Sequence, residues 1–205
     1  MQRIVGLVIL FLCLIATLSI RGEEPFKLGD KAPDWAALPG TDDKLYSLAD
    51  FKDRDALVIV FTCNSCPYAQ DYEERIIAFC KKYCGAEQKT ALIAINANKV
   101  KDDQPEEMKK RAKAQGFNFP YVWDETQQTA RSYDAIWTPE FYVFNRDRKL
   151  IYRGALDDNT NAKLAKVNYL AEAVEAILAG GVPKTQETAA VGCQVRYERK
   201  RREKK

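Results

Sequence analysis

Residues 56–67, ALVIVFTCNSCP, decide the fold of this chain. Their first six residues form a continuous apolar run of strand length, which is typical of a β-strand covered on both faces. From Pro67 to Tyr83, apolar residues recur at three- and four-residue spacing, which predicts an amphipathic helix. Cys63 and Cys66 therefore stand where a buried strand ends and a helix begins.

This position favours thiol chemistry. The first turn of a helix offers unpaired N–H groups and the positive end of the helix dipole, and a thiol there is stabilised as the nucleophilic thiolate. We expect Cys63 to be the exposed attacking thiol and Cys66, one turn further on, to be the more buried resolving thiol of a redox-active pair. A purely structural Cys63–Cys66 disulfide is the alternative.

The absence of histidine excludes several other chemistries. None of the 205 residues is histidine, which rules out Ser-His-Asp and Cys-His catalysis, c-type haem attachment and His-ligated zinc or copper. A zinc site completed by Cys80 and Cys84 is disfavoured, because along a straight helix they lie roughly 21 and 27 Å from Cys66. We therefore predict no metal and no bound cofactor.

The charge distribution argues against nucleic-acid binding. The chain is 46% hydrophobic and 30% charged, as in a globular protein. Residues 23–195 carry 23 basic and 27 acidic side chains, whereas residues 196–205 carry seven basic and two acidic ones. A mildly acidic body with a basic tail is not a nucleic-acid groove. We expect the tail to be solvated, with contact to anionic lipid headgroups as the alternative.

The amino terminus has the pattern of a targeting segment. Residues 4–20 are almost wholly apolar and follow a basic start at Arg3, as in a secretory signal peptide. An uncleaved membrane anchor is the alternative, at the short limit for a membrane span. Either reading of residues 1–22 predicts that the rest of the chain is exported, to the periplasm or another extracytoplasmic compartment in which disulfides persist. We expect one domain over residues 23–183 and a C-terminal extension over 184–205.

Strands and helices alternate along the remainder of the chain. The patterns predict strands at 90–97, 121–123, 140–145 and 149–153, and helices at 105–115, 127–133 and 163–178. The alternation implies parallel strands joined by crossovers, whereas the last two strands form an antiparallel hairpin. The predicted fold class is α/β, with a mixed central β-sheet and helices on both faces.

Taken together, these features resemble the thioredoxin-fold redoxins of the AhpC/TSA and TlpA/ResA group. The resemblance spans about residues 29–180 and is carried by the CxxC unit, the GDKAPDW stretch at 29–35, and the spacing of Asp124, Ala130, Tyr133, Thr138 and Pro139. It implies a thioredoxin-like sheet and a cis bond before Pro139. It also implies that the backbone of Thr138 pairs with an extended substrate segment beside the cysteines.

The chain departs from this family pattern at several positions. Thr62 precedes the first cysteine, where thioredoxins commonly have tryptophan, and Asn64-Ser65 lies between the cysteines. The buried acid of thioredoxins has no counterpart in residues 56–61; Glu140 is a conceivable substitute, with a surface carboxylate as the other interpretation. The P-x-x-x-T-x-x-C pattern of peroxiredoxins is absent.

Three further cysteines are candidate redox or structural residues. Cys80 and Cys84 share a helical face, so they are either free thiols or a strained disulfide. Cys193 lies in GCQVRY at 192–197, which resembles a C-terminal signature of CxxC redoxins. Either Cys193 bonds to Cys84 or Cys80 and fixes the tail, or it is a third redox thiol.

The sequence thus predicts an exported thiol-disulfide oxidoreductase that acts on protein disulfides. Cys63 attacks, Cys66 resolves, Thr138 and Pro139 position the substrate, and an unidentified thiol supplies electrons. The same residues serve reduction and oxidation, and the sequence does not choose between them. Two alternatives stay open: a thiol peroxidase with Cys63 as the peroxidatic cysteine, and a redox-inert binding module.

Overall fold

The computed structural model describes residues 24–199, so the predicted targeting segment at 1–22 and the end of the basic tail lie outside the described residues. Its strands are β1 (Leu38–Pro39), β2 (Leu45–Tyr46), β3 (Ala56–Phe61), β4 (Thr90–Asn96), β5 (Tyr121–Trp123), β6 (Trp137–Thr138), β7 (Glu140–Phe144), β8 (Leu150–Gly154) and β9 (Cys193–Gln194). Its α-helices are α1 (Pro67–Tyr83), α2 (Pro105–Gln115), α3 (Gln128–Ser132) and α4 (Tyr169–Leu178).

Five strands form the central sheet, in the order β5-β4-β3-β7-β8. Strand β3 is parallel to β4, and β4 is parallel to β5. Strand β7 is antiparallel to both β3 and β8. The mixed central sheet predicted from the sequence is therefore confirmed, with β3, the strand that leads into the CxxC segment, at its centre.

The residues of β3 alternate between two apolar cores. Its even-numbered residues pack with α1, α4 and Met108 of α2 on one face of the sheet. Its odd-numbered residues pack on the other face with Ala130 of α3 and with Phe26 and Trp35 from the segment before β1. All six residues of β3 are buried, so helices cover both faces of the sheet as predicted.

The main difference from the predicted elements is the start of the last helix. Helix α4 begins at Tyr169 rather than at residue 163, because the Asn168 side chain accepts a hydrogen bond from the amide of Ala171 at 2.9 Å and caps the helix there. Leu164, which lies within the predicted helix but before the observed one, is 59% exposed. The other predicted bounds agree or differ by one or two residues at an end.

The C-terminal residues pack back onto the domain in a way that the sequence patterns do not predict. Strand β9 pairs antiparallel with β6, which directly precedes β7. Val195 is buried in the same core as Trp35, and Glu187 forms a parallel bridge with Arg153 of β8. Strand β9 thus lies at the carboxyl edge of β3, where the cysteines are.

None of the helices between residues 24 and 199 is both long and apolar enough to cross a bilayer.

Candidate active site

The two cysteines of the CxxC segment flank the start of α1. Cys63 follows β3 after one residue, and Cys66 is the N-cap residue of α1 in an extended conformation. Pro67 is the first helical residue, a position at which its missing N–H costs nothing, because that group has no partner within a helix. The predicted placement of the cysteines between a buried strand and a helix is confirmed.

Both sulfurs are covered. Cys63 is 2% exposed and Cys66 is 1% exposed, so the expectation of an exposed Cys63 is wrong. Cys63, Cys66 and Ala69 form a small apolar cluster, and Cys193 of β9 packs against it. The sequence could not show this cover, because part of it comes from Cys193, a residue 130 positions after Cys63.

Thr138 contacts both cysteines. The Cys63 thiol donates to the hydroxyl Oγ1 of Thr138 at 3.5 Å, and the Cys66 thiol donates to the Thr138 carbonyl oxygen at 3.0 Å. The Thr138–Pro139 peptide bond is cis, as the family resemblance implied. The structure thus brings together four of the predicted site residues: Cys63, Cys66, Thr138 and Pro139.

The two thiols titrate as a pair. A hydrogen bond from Cys63 lowers the pKa of Cys66 to about 5, against the effect of burial and with further help from Cys193 and the amide of Ala69. The same hydrogen bond, burial and the charge of Asp103 raise the pKa of Cys63. The pair therefore loses its first proton readily and holds the second one strongly.

A buried carboxylate that the sequence interpretation missed supports the loop between the cysteines. Asp103 lies in a 3₁₀-helix before α2 and is fully buried. Its Oδ1 accepts the amides of Asn64 at 2.6 Å and Ser65 at 3.0 Å, and its Oδ2 accepts the Ser65 hydroxyl at 2.6 Å. This buried carboxylate beside the cysteine loop comes from a position 40 residues after Cys63 and not from strand β3. The only local signal for this role of Asp103 is its position shortly before Pro105. An acidic residue at that position also fits an ordinary helix start.

Asn64, one of the departures from the family pattern, is held on three sides. Its side-chain amide donates to the carbonyl of Asp102 at 2.8 Å, and its Oδ1 accepts the hydroxyl of the buried Tyr121 at 3.0 Å. Gln70 of α1 donates to the Asn64 carbonyl at 2.7 Å. These contacts fix the segment between the cysteines from α1, from β5 and from the loop before α2.

Glu140 supports the segment that carries Thr138. It is 4% exposed, so its interpretation as a surface carboxylate is wrong. Its Oε2 accepts the amides of Ile136 at 2.9 Å and Trp137 at 3.2 Å, and its Oε1 accepts Nε of Arg153 at 2.9 Å. Through these bonds Glu140 anchors β6, whose second residue faces the cysteines.

Cys80 and Cys84 lie near the other end of α1, roughly 21 and 27 Å along the helix from Cys66. Cys80 is buried in the core on the α1 face of the sheet, and a hydrogen bond from Cys84 together with burial raises its pKa. All five cysteines in the described residues are free thiols. The structure therefore places Cys80 and Cys84 outside the site.

Cys193 lies beside Cys66 instead of beside Cys80 or Cys84. It is half-buried, and burial together with a hydrogen bond to Cys66 raises its pKa to about 11.

Among residues 24–199 no group of three or more His, Cys, Asp or Glu side chains is placed to hold a metal ion. The arrangement at this edge of the sheet is one of three thiols and a hydroxyl, which suits thiol–disulfide exchange.

Comparison with known proteins places this arrangement in a family. The model of the AhpC/TSA family matches residues 28–153. The chain is similar to an uncharacterized conserved protein from Geobacillus kaustophilus, with 37% identity and a TM-score of 0.79 over 86% of this chain and 95% of that one. It is also similar to a hypothetical protein from Sinorhizobium meliloti 1021, with 33% identity and a TM-score of 0.78 over 85% of this chain and 97% of that one. No curated protein matches significantly.

A more distant similarity bears on the fold alone. The C-terminal domain of a candidate thiol-disulfide oxidoreductase from Bacteroides thetaiotaomicron is 16% identical, with a TM-score of 0.59 over 76% of this chain and 98% of that one. With the mixed sheet and its order of elements, this likeness confirms the predicted thioredoxin-like fold.

Proposed function

Because this chain belongs to the AhpC/TSA family, with residues 28–153 matched, we propose that it is a thiol-disulfide oxidoreductase whose redox couple is Cys63 and Cys66. One observation carries this proposal: two free thiols lie at the start of α1, and each of them donates a hydrogen bond to Thr138. The lowered pKa of Cys66, to about 5, supports it, because the pair then carries a negative charge at neutral pH.

The proposed reaction is two successive exchanges. The Cys63 thiolate attacks one sulfur of a protein disulfide, a mixed disulfide forms, and the other substrate sulfur leaves as a thiolate. Cys66 then attacks the Cys63 sulfur, so the Cys63–Cys66 disulfide forms and the substrate leaves as a dithiol. Two electrons pass from the cysteine pair to the substrate, and an external thiol restores the reduced pair; the reverse reaction uses the same atoms.

The shared proton determines which sulfur is charged. When the proton lies on Cys66, the charge is on Cys63, whose sulfur faces the hydroxyls of Ser65 at 3.7 Å and Thr138 at 3.5 Å. Both hydroxyls lower the pKa of Cys63, against the larger effects of the Cys66 hydrogen bond, burial and Asp103, which raise it, so the charge of the resting pair lies mainly on Cys66. In the proposed mechanism the proton passes from Cys63 to Cys66 before attack, so that Cys63 is the attacking thiolate and Cys66 stays protonated until the mixed disulfide has formed.

Thr138 and Pro139 are proposed to position the substrate chain. In the described residues the backbone of Thr138 is already paired with Cys193, in the antiparallel pair of β6 and β9. A substrate segment that pairs with Thr138 must therefore displace β9, which is only two residues long. This pairing also explains why both active sulfurs are covered in the free protein.

An exported location suits this reaction. The apolar segment at residues 4–20 supports export, with either cleavage or retention as a membrane anchor. Protein disulfides persist outside the cytosol, so substrates of the proposed class are present there. The proposed partners are a disulfide-containing protein and a thiol electron donor.

Disulfide trapping tests the proposed function. The reduced protein and its Cys63→Ser and Cys66→Ser variants are mixed with insulin, and covalent adducts are separated on non-reducing gels. We expect wild type to reduce insulin, Cys66→Ser to accumulate a mixed disulfide through Cys63, and Cys63→Ser to lose at least 100-fold in rate. Cys84→Ser, which removes a thiol at the far end of α1, is the matched control and should behave as wild type.

Full activity of Cys63→Ser would contradict the proposal. The two alternatives have their own signatures in the same preparations. Peroxide-dependent oxidation of Cys63 that is faster than that of a free thiol would indicate a thiol peroxidase. Thiols that never pair would indicate a redox-inert module.

A further inference from the structure

The carboxyl-terminal strand occupies the edge at which a substrate segment is proposed to bind. Cys193 lies opposite Thr138, and Gln194 lies opposite Trp137, in an antiparallel pair. The hydroxyl of Thr138 also donates to the carbonyl of Cys193 at 3.2 Å. The chain therefore presents one of its own cysteines to the Cys63–Cys66 pair on an extended segment.

The backbone beside Cys193 fits closely against this edge. A Cβ atom on Gly192 would lie 2.2 Å from the carbonyl oxygen of Thr138, so a larger residue cannot take this position without moving the strand. After Cys193, the amide of Val195 donates to Ile136 at 2.8 Å, and the amide of Arg196 donates to the side chain of Asn98 at 2.8 Å. Cys193 is thus held from both sides, with a glycine before it and anchored residues after it.

The Cys193 side chain points to the active sulfurs. It packs against the Cys63–Cys66–Ala69 cluster, and it helps to lower the pKa of Cys66. It is also the only one of the three thiols that is partly exposed, since Cys63 and Cys66 are both buried. An external thiol therefore reaches a disulfide that includes Cys193 more easily than one between the two buried sulfurs.

We propose that Cys193 is a third catalytic thiol, which accepts the disulfide from the Cys63–Cys66 couple and holds it as a Cys66–Cys193 bond. This inference rests on the proposed function. The Cys193 thiolate attacks the Cys66 sulfur of the Cys63–Cys66 disulfide, so the Cys66–Cys193 bond forms as the Cys63–Cys66 bond breaks. Cys63 leaves as a thiolate and takes up a proton equivalent to the one that Cys193 released, so the step needs no further oxidant or reductant.

Oxidation of Cys66 prepares Cys193 for this step. In the reduced site, burial and the hydrogen bond and charge of Cys66 raise the pKa of Cys193, whereas Arg196 lowers it. Once Cys66 is in a disulfide it carries no charge and holds no proton, so two of the three causes of the raised pKa disappear. Cys193 is then more readily ionised at the stage when its attack is required.

Disulfide mapping of the full chain tests this proposal. Wild type and Cys63→Ser are equilibrated with graded ratios of oxidised to reduced glutathione, quenched with acid, alkylated and mapped by peptide mass. We expect wild type to contain both Cys63–Cys66 and Cys66–Cys193 bonds, and Cys63→Ser to form the Cys66–Cys193 bond alone. If Cys66 and Cys193 of Cys63→Ser stay free, or carry only glutathione, at ratios that oxidise wild type, the proposal is overturned.

A second pair of variants tests whether the pairing of β9 with β6 is what brings Cys193 to the Cys63–Cys66 couple. Gly192→Ala places a Cβ against Thr138, whereas Gly181→Ala, the matched control, meets its nearest atom at 3.7 Å, an ordinary contact. We expect Gly192→Ala to lower the fraction of the Cys66–Cys193 bond at least ten-fold while Cys63–Cys66 still forms, and Gly181→Ala to match wild type. An unchanged Cys66–Cys193 fraction in Gly192→Ala would contradict the proposal. Absence of both bonds in wild type would overturn the proposed function as well.

Discussion

The carboxylate of Asp103 holds Ser65 twice, through its hydroxyl at 2.6 Å and its backbone amide at 3.0 Å. Ser65 lies between the two cysteines, so the CxxC loop rests against a fully buried carboxylate. The hydrogen bonds of Asp103 and its negative charge have different effects on the cysteine pair. The hydrogen bonds fix the loop, whereas the negative charge raises the pKa of Cys63.

Asp103→Asn should therefore make the cysteine pair more reactive at neutral pH. The substitution keeps an acceptor oxygen for the two amides but removes the charge that disfavours the Cys63 thiolate. We expect the pH midpoint of alkylation to fall and the rate with iodoacetamide near pH 6 to rise several-fold. Asp102→Asn is the matched control, since that neighbouring side chain is exposed. A slower reaction in a folded Asp103→Asn protein would argue against this account.

Cys63→Ala should have the opposite effect on Cys66. The hydrogen bond from Cys63 is the largest cause of the lowered pKa of Cys66, and without it burial dominates. Alkylation of Cys66 in this variant should shift to higher pH and be at least ten-fold slower near pH 6. The rate is measured by mass mapping, so that modification of Cys193 is counted separately. An unshifted profile would show that the helix terminus alone sets this pKa.

The Glu140–Arg153 pair should be important for stability. Both side chains are largely buried, at 5% and 19% exposure, so Glu140→Ala leaves an unpaired cation and two amides without their acceptor. We expect a loss of about 3–5 kcal/mol in urea unfolding. Glu107→Ala, which breaks the exposed pair with Lys110, should cost much less, because solvent screens that pair. Equal losses of unfolding free energy in the two variants would contradict the expectation that the buried pair contributes more to stability than the exposed one.

Asn168→Ala tests the start of α4. Its side chain accepts the amide of Ala171 at 2.9 Å and occupies the N-cap position. Loss of a cap of this kind costs about 1 kcal/mol. Substitution of Lys163, which the sequence pattern places in the helix but which lies before its start, should have an effect within about 0.5 kcal/mol. A helix that began at Lys163 would reverse the order of the two effects.

The local pattern of apolar residues was sufficient to predict most of the helices and strands. The apolar run of β3 and the helical spacing of α1 are strong signals, and the structure has both at the predicted bounds. The predicted start of α4 at Lys163 was wrong, because the chain does not enter the helix until Asn168 caps it. An Asn cap within a periodic segment is a weaker signal than the periodicity itself.

The candidate site was only partly predictable for a different reason. Cys63, Cys66, Thr138 and Pro139 belong to motifs that can be read locally, and the structure brings them together. Asp103 contacts residues 38 and 39 positions earlier in the chain. Cys193 reaches the site through a strand of only two residues. Such contacts are set by tertiary packing, so no periodicity or spacing around either residue indicates them.

The most direct test of the central claim is a redox titration of the full chain, with alkylation and peptide mass mapping at each redox potential. The account predicts that Cys63 and Cys66 interconvert between dithiol and disulfide within about −300 to −120 mV, the range of known dithiol couples. A midpoint near or below about −250 mV would mark a reductant, and one above about −180 mV an oxidant or isomerase. If Cys63 and Cys66 stay unchanged across the whole range, the redox couple does not exist and the claim fails.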